Sequence, residues 1–232
     1  MKVKILLILM GSFLFLQNCA TSPTIKMAAV ATPDQKTGYD GTITSQKKHF
    51  VALSPYTKLN SAIPNFDLSK YKTLFMMSFQ NCGKEPFNIT FDNITVIFES
   101  NDKELALKRI NIQALDDFMN DLEEEYNDNE KEYIYSTLYE IYLQSLSGFL
   151  NMGKIEDLKN DIKAMRWQNE MLRDMLPGVV MKPQITMPGG SYSGIVVCDT
   201  RAIDSKIEGN FKVVVSVDGE EHKFTFKRVL NK

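Results

Sequence analysis

The sequence predicts a mainly β protein with an α-helical insertion, in which an antiparallel β-sandwich is interrupted by a helical hairpin. Apolar residues alternate with a period of two before residue 110 and again after residue 179. From 111 to 178 they recur instead with the 3.6-residue period of an amphipathic helix. Asp218-Gly219 stands between two alternating segments, which is a strong signal for a tight β-hairpin.

Strands are predicted first at residues 50–53, 71–80 and 87–100. Residues 71–80 carry apolar side chains on both faces, which predicts a central strand. Residues 87–100 form either one long strand or two short ones, because the alternation shifts phase at Asp92-Asn93. A shift of this kind is typical of a bulge or a corner.

Three helices are predicted within the insertion. The first ends near the acidic run 121–130, the second ends near residues 151–153, and Pro177-Gly178 stops the third. Helices joined by about four residues favour an antiparallel hairpin. Strands then resume at residues 192–198, 211–217 and 222–229. In the last of these Phe224 and Phe226 share the face predicted to be buried, and lysines take the other.

Composition and charge exclude several classes of protein. The 232 residues include 44% hydrophobic side chains, which suffices for a globular core. The 27 basic and 29 acidic residues leave a net charge of -2, so a dedicated nucleic-acid binder is not expected. Three cysteines are too few for a disulfide scaffold.

The N-terminus has the pattern of an export signal. Lys2 and Lys4 precede an uncharged apolar run at residues 5–16. As a helix this run would rise about 18 Å, short of the roughly 30 Å hydrocarbon core of a bilayer. Removal of residues 1–18 would move the net charge from -2 to -4. Residues 19–41 lack periodicity and are rich in Thr, Ala, Pro and Gly, which predicts a flexible tether.

Leu16-Gln17-Asn18-Cys19 resembles the bacterial lipobox, the processing signal of lipoproteins. It departs from the usual pattern at Asn18, where Gly, Ala or Ser is commonest. The resemblance implies that Cys19 becomes the acylated first residue, and Ala20 after it implies sorting to the outer membrane. The alternative is a conventional signal peptide with an unmodified cysteine near its cleavage site.

Two turns resemble those of the immunoglobulin-like β-sandwiches of bacterial envelope proteins. They are N-x-x-x-E-P-F at residues 81–87 and P-G-G-x-x-x-G at residues 188–194. The resemblance covers about residues 42–100 and 179–230 and lies in strand spacing and turn chemistry. The sandwich that it implies spans residues 42–110 and 179–232. Antibody-type domains carry a hallmark tryptophan in the sandwich, whereas Trp167 falls in the insertion, at residues 111–178.

Candidate chemistry is sparse. Besides Cys19 two cysteines remain, Cys82 and Cys198, and a disulfide between them is possible because the protein is predicted to be exported. The alternative is two free thiols. His49 and His222 are expected at exposed strand positions, and no catalytic, metal-binding or cofactor motif occurs. Calcium binding by the acidic run 116–132 is conceivable, because hard cations prefer clustered carboxylates, but no glycine between Ser100 and Gly148 supports a calcium loop. The run is therefore interpreted as a solvated helix end or a connection between helices.

Tyr135, Tyr139 and Tyr142 recur at i, i+4 and i+7 and share one helix face. One interpretation is core packing, and the other is a partner interface, because tyrosine suits surfaces that are dry on one side.

These observations predict a non-enzymatic envelope lipoprotein that acts as a binding or assembly module. Its expected partners are the lipid bilayer, through acylated Cys19, and an envelope protein. It would reside in the bacterial cell envelope, anchored at the outer membrane and either periplasmic or surface-exposed. The alternatives are a surface-exposed adhesin or ligand-binding lipoprotein, and a cell-envelope hydrolase, since a fold alone does not dictate function.

Overall fold

A computed structural model of the chain describes residues 24–56, 72–102, 107–146, 152–204 and 206–231. It confirms a mainly β fold with helices inserted between strands. The two helices are α1 (Leu115–Leu146) and α2 (Met152–Val179). The strands are β1 (Thr24–Ala29), β2 (Lys36–Thr37), β3 (Ile43–Gln46), β4 (Phe50–Pro55), β5 (Lys72–Gln80), β6 (Phe87–Ile89), β7 (Ile94–Ser100), β8 (Lys108–Ile110), β9 (Ile112–Gln113), β10 (Gln184–Thr186), β11 (Ser191–Asp199), β12 (Gly209–Val217) and β13 (Glu220–Asn231).

The strands form two larger antiparallel sheets and one small pair. The first sheet has the order β1-β13-β12-β7-β8, and the second has the order β2-β3-β4-β5-β11-β9. Strands β6 and β10 pair separately. The arrangement is sandwich-like, and the resemblance to immunoglobulin-like domains in particular stays a prediction.

One hydrophobic core lies between the two larger sheets. The ring of Phe75, on β5, lies 6.1 Å from that of Phe211 and 5.1 Å from that of Phe226, both on the opposite sheet. All three rings are fully buried. At about 25 cal/mol per Å² of buried apolar area, such aromatic residues supply much of the driving force for the packing of the sheets.

The predicted turns are confirmed. Asp218 and Gly219 both have positive φ, at 49° and 79°, and they connect Val217 directly to its cross-strand partner Glu220. Two such residues make the turn whose twist matches that of an antiparallel hairpin. At the other predicted corner a short 3-10 helix (Phe91–Asn93) separates β6 from β7, so residues 87–100 form two strands in different sheets.

Strands β5 and β11 are covered on both faces, as expected for central strands. Inward residues such as Phe75 and Val196 join the sandwich core. Outward residues such as Leu74 and Val197 join a second cluster with the helices. The apolar residues on both faces of β5 are therefore explained by the helical insertion.

The insertion contains two long helices rather than the three predicted. Helix α1 runs without a break through the acidic run that was interpreted as a helix end. That run contains neither glycine nor proline, and glutamate is a good helix former, so the acidic residues do not stop the helix. The insertion was predicted to begin at residue 111, but the first helix starts at Leu115, because Ile112 belongs to strand β9 and pairs with Cys198.

The predicted tether at residues 19–41 was wrong for residues 24–29. These residues form β1, whose pairing with β13 runs from Thr24 opposite Asn231 to Ala29 opposite Phe226. A separate pairing places Lys36 of β2 opposite Thr44. The partner of β1, strand β13, lies at the far end of the sequence, so no local pattern in residues 24–29 predicts the pairing.

Candidate functional site

The helical hairpin is attached to the sandwich by apolar side chains at its base. Phe118 and Leu122 of α1 lie against Leu172 and Leu176 of α2, and all four are buried. They cover the outward face of β5 and β11, where Leu74, Ile195 and Val197 are also buried. Among the described residues, the buried contacts that join the helices to the sheet thus involve the first turns of α1 and the last turns of α2.

A charged cluster accompanies this apolar base. The buried Lys72 ammonium lies 2.5 Å from the Asp121 carboxylate of α1 and 3.8 Å from Asp199. Arg201 bridges the same two carboxylates, at 3.4 Å from Asp121 and 2.6 Å from Asp199. Gln113 donates a further hydrogen bond of 2.7 Å to Asp121. The cluster fixes α1 at the end of the sandwich where β5 begins and β11 ends, which we call the basal end.

The electrostatics of this cluster favour ionised carboxylates. Burial works to raise the pKa of Asp121, but hydrogen bonds from Gln113 and Lys72, with the charge of Arg201, outweigh it and hold that pKa below its usual value. Burial also works to raise the pKa of Asp199, but the hydrogen bonds from Arg201 outweigh it and hold that pKa below its usual value. Sequence reasoning missed this cluster, because its members are far apart in the chain.

Beyond Leu122 and before Leu172 the hairpin forms an arm, in which polar contacts between the helices are prominent. Arg166 donates hydrogen bonds of 2.6 Å and 3.2 Å to the nearly buried Glu130. These bonds lower the pKa of Glu130. Tyr133 donates a 2.5 Å hydrogen bond to Asp161 further along the arm. An open groove of about 510 Å³ runs beside Tyr133, Asp161 and Met165.

The predicted tyrosines lie on the exposed side of the arm. Tyr135 is 70% exposed, Tyr139 is 62% exposed and Tyr142 is 57% exposed, with Leu138 exposed between them. We call these four residues the tyrosine face. The core-packing interpretation of the tyrosines was therefore wrong, whereas Ile134 and Ile141 of the adjoining stripe are half-buried.

Helix α2 carries a second exposed apolar stripe that sequence reasoning missed. Trp167 is 62% exposed, and Met171 and Met175 follow it at intervals of four residues and are also exposed. The i, i+4, i+8 spacing within the predicted third helix is the sequence signal that could have identified the stripe.

Cys82 and Cys198 are both free thiols, and the predicted disulfide was wrong. Cys198 pairs in register with Thr73 near the basal end, whereas Cys82 follows Gln80 at the opposite end of β5. The strand length between these levels is on the order of 25 Å. A disulfide requires Cα atoms within about 7 Å.

Alkylation of the folded protein without reductant is expected to modify Cys82 and to spare Cys198 until denaturant is added. Cys82 is exposed, whereas burial raises the pKa of the Cys198 thiol to about 12. Peptide mass spectrometry after iodoacetamide treatment measures this difference, with Cys82→Ser as the control. Recovery of a Cys82–Cys198 bridged peptide would contradict the expectation.

His49 and His222 are buried, so the expectation of exposed positions was wrong for both. The Nδ1 atom of His222 lies 2.9 Å from the hydroxyl of the buried Ser45. Burial lowers the pKa of His222, and the nearby charge of Lys47 lowers it further. The pair joins β3 to β13.

The carboxylates of the acidic run are spread along α1, and some pair with cations of α2, as Glu123 does with Arg173 at 2.8 Å. In the part of the chain that the structure describes, no three His, Cys, Asp or Glu side chains converge to hold a metal ion. Neither described helix is long and apolar enough to cross a bilayer. Cys19 and the predicted signal at 1–18 lie outside the described residues.

No protein-family model matches the chain, and searches of curated proteins and of solved structures find no match. The function is therefore argued from the arm, its base and the sequence signal at Cys19.

Proposed function

We propose that this protein is a non-enzymatic lipoprotein of the bacterial envelope, acylated at Cys19 and sorted to the outer membrane. In this proposal the sandwich is a rigid support, and the helical arm presents the tyrosine face to another envelope component. The observation that carries the proposal is the exposure of Tyr135, Tyr139 and Tyr142 on an arm joined to the sandwich at its base.

The composition of the face supports a binding role. Tyrosine and leucine bury large apolar areas when covered, and tyrosine also offers a hydroxyl to a polar partner. Further along α1 toward its base, exposed Asp117, Glu124 and Asp128 continue the same side of the helix at spacings of seven and four residues.

The burial of the charged groups supports a structural rather than a catalytic use of them. Lys72, Asp121 and Asp199 hold α1 on the sheet, and Arg201 completes their pairing. Ser45 and His222 hold two strands together in the interior. These contacts account for the groups without a reaction.

A photo-cross-linking amino acid in place of Tyr139 tests the binding role in intact cells. We expect an adduct with an envelope component at position 139 and none at Tyr39, an exposed tyrosine of the β2–β3 connection that serves as the matched control. Tyr135→Ala/Tyr139→Ala is expected to fold normally and to lose the interaction, because exposed side chains contribute within about 0.5 kcal/mol to stability.

Two results would overturn the proposed role of the face. One is equal cross-linking at positions 139 and 39, and the other is unfolding of the double alanine variant. The anchor is checked separately by Cys19→Ala, which should abolish labelling by a fatty-acid analogue and release the protein from the membrane fraction.

A further inference from the structure

The described chain begins at the basal end of the sandwich. Thr24 lies opposite Asn231, at the end of β13. The neighbouring Leu230 N–H donates a 3.1 Å hydrogen bond to Glu208, in the connection that leads from Asp199 to β12. Thr24 and the Lys72–Asp121–Asp199 cluster therefore mark the same end of the molecule.

The arm leaves the sandwich at this end. Gln113 pairs with Val197, and eight residues later Asp121 lies beside Lys72 and Asp199, so α1 runs toward the basal end. Helix α2 runs antiparallel to α1, as the pairs Glu123–Arg173 and Glu130–Arg166 show. Val180, which follows α2, bridges Ile195 of β11. At 1.5 Å per residue, Tyr142 lies about 32 Å beyond Asp121 along α1.

The chain between the predicted anchor and β1 is short compared with the arm. Five residue steps separate Cys19 from Thr24, and even a fully extended chain spans at most about 18 Å over that distance. An acyl chain at Cys19 would hold the basal end close to the bilayer. An arm longer than the link, leaving from the same end, then meets or lies along the bilayer surface.

The chemistry of the tyrosine face suits that location. Tyrosine concentrates where a membrane meets water, because its ring is apolar and its hydroxyl is polar. No charged residue lies between Glu132 and Glu140, the stretch of α1 that carries Tyr135, Leu138 and Tyr139, so this stretch brings no charge into contact with lipid. Asp117, Glu124 and Asp128, which are exposed on the same side of α1, lie nearer its base and can remain in water.

We infer that the bilayer that holds Cys19 covers the tyrosine face, whose side chains lie in the headgroup region as a second contact with the membrane. The inference rests on the proposed anchor at Cys19. It identifies the component that the tyrosine face binds as lipid rather than protein.

Fluorescence quenching by spin-labelled lipid tests the inference on the full acylated chain, reconstituted in phosphatidylcholine vesicles. A thiol-reactive fluorophore is placed on the arm in Cys82→Ser/Tyr139→Cys. The matched control carries the same fluorophore on native Cys82, which lies at the end of β5 opposite the arm. We expect about twofold quenching at position 139 and little at Cys82, because an interfacial helix lies about 5–10 Å into the headgroup boundary.

The outcomes separate the inference from the proposal beneath it. If the protein floats with the vesicles but the label at position 139 is quenched no more than the label at Cys82, the anchor stands and the lipid contact of the tyrosine face is overturned. A protein adduct at position 139 in cells, without quenching in vesicles, would do the same and assign the face to a protein partner. Failure to float would overturn the anchor and the inference together. A label at Tyr135→Cys repeats the measurement one turn away.

Discussion

Replacing Phe118 with alanine is expected to destabilise the attachment of the helical hairpin by about 3–5 kcal/mol. Phe118 is fully buried, and it lies in the cluster formed by Leu122, Leu172, Leu176 and the outward face of β5 and β11. Removing the ring takes away its apolar burial and leaves a cavity between layers that cannot collapse freely, since the sheet beneath is also packed against the sandwich core.

Trp167 makes the effect measurable. It is the only tryptophan and lies in α2 within the arm, so its fluorescence reports on the hairpin, while far-ultraviolet circular dichroism reports on the whole chain. In urea, Phe118→Ala should lower the midpoint of the tryptophan transition most. Leu138→Ala, on the exposed side of the same helix, is the matched control and should change stability by less than about 0.5 kcal/mol. Equal effects of the two substitutions would show that Phe118 does not anchor the hairpin.

The strands and the tyrosine spacing were predictable from sequence because both depend on local periodicity. Alternation located β5, β11, β12 and β13, and Asp218-Gly219 located the last turn. The i, i+4, i+7 spacing of the tyrosines placed them on one face, but their exposure depends on how little of α1 the sandwich covers. Local pattern carries no information about that coverage.

Three features depended on contacts between distant segments and were not predictable. Residues 24–29 form a strand because β13 offers a free edge about 200 residues later in the chain. His222 is buried because β13 packs against β3, where the hydroxyl of Ser45 contacts the His222 ring. The prediction of a disulfide was wrong because the antiparallel register places Cys82 and Cys198 at opposite ends of the adjoining strands β5 and β11.

Replacing Asp121 with alanine is expected to cost about 3–5 kcal/mol, because it leaves the buried Lys72 ammonium without its nearest carboxylate. Asp199 lies farther from Lys72, at 3.8 Å, and is already engaged by Arg201. The matched control is Asp128→Ala on the same helix, where an exposed pair with Lys131 contributes at most about 1 kcal/mol.

Substituting both partners with apolar residues separates pairing from burial. Lys72→Met/Asp121→Leu should recover most of the stability lost in Asp121→Ala, since a buried ion pair often contributes no more than apolar residues of similar volume. Urea titration of the native protein, Lys72→Met, Asp121→Leu and the double variant measures the coupling free energy between the two side chains. If the double variant is as unstable as Asp121→Ala, the destabilisation caused by Asp121→Ala is not explained by an unpaired, buried Lys72.

The pH dependence gives an independent check on the same group. The pKa of Asp121 is lower in the folded protein than its ordinary value of 3.8, so ionisation of Asp121 favours folding at neutral pH. That contribution is complete well above pH 3.8 and is lost as the pH falls through the folded-state pKa. Asp121→Asn removes the titrating group, so the free energy of unfolding of this variant should fall less steeply than that of the native protein below about pH 4. Parallel profiles for the two proteins would place the acid sensitivity on other carboxylates and would show that ionisation of Asp121 contributes little to the stability of the base of the arm.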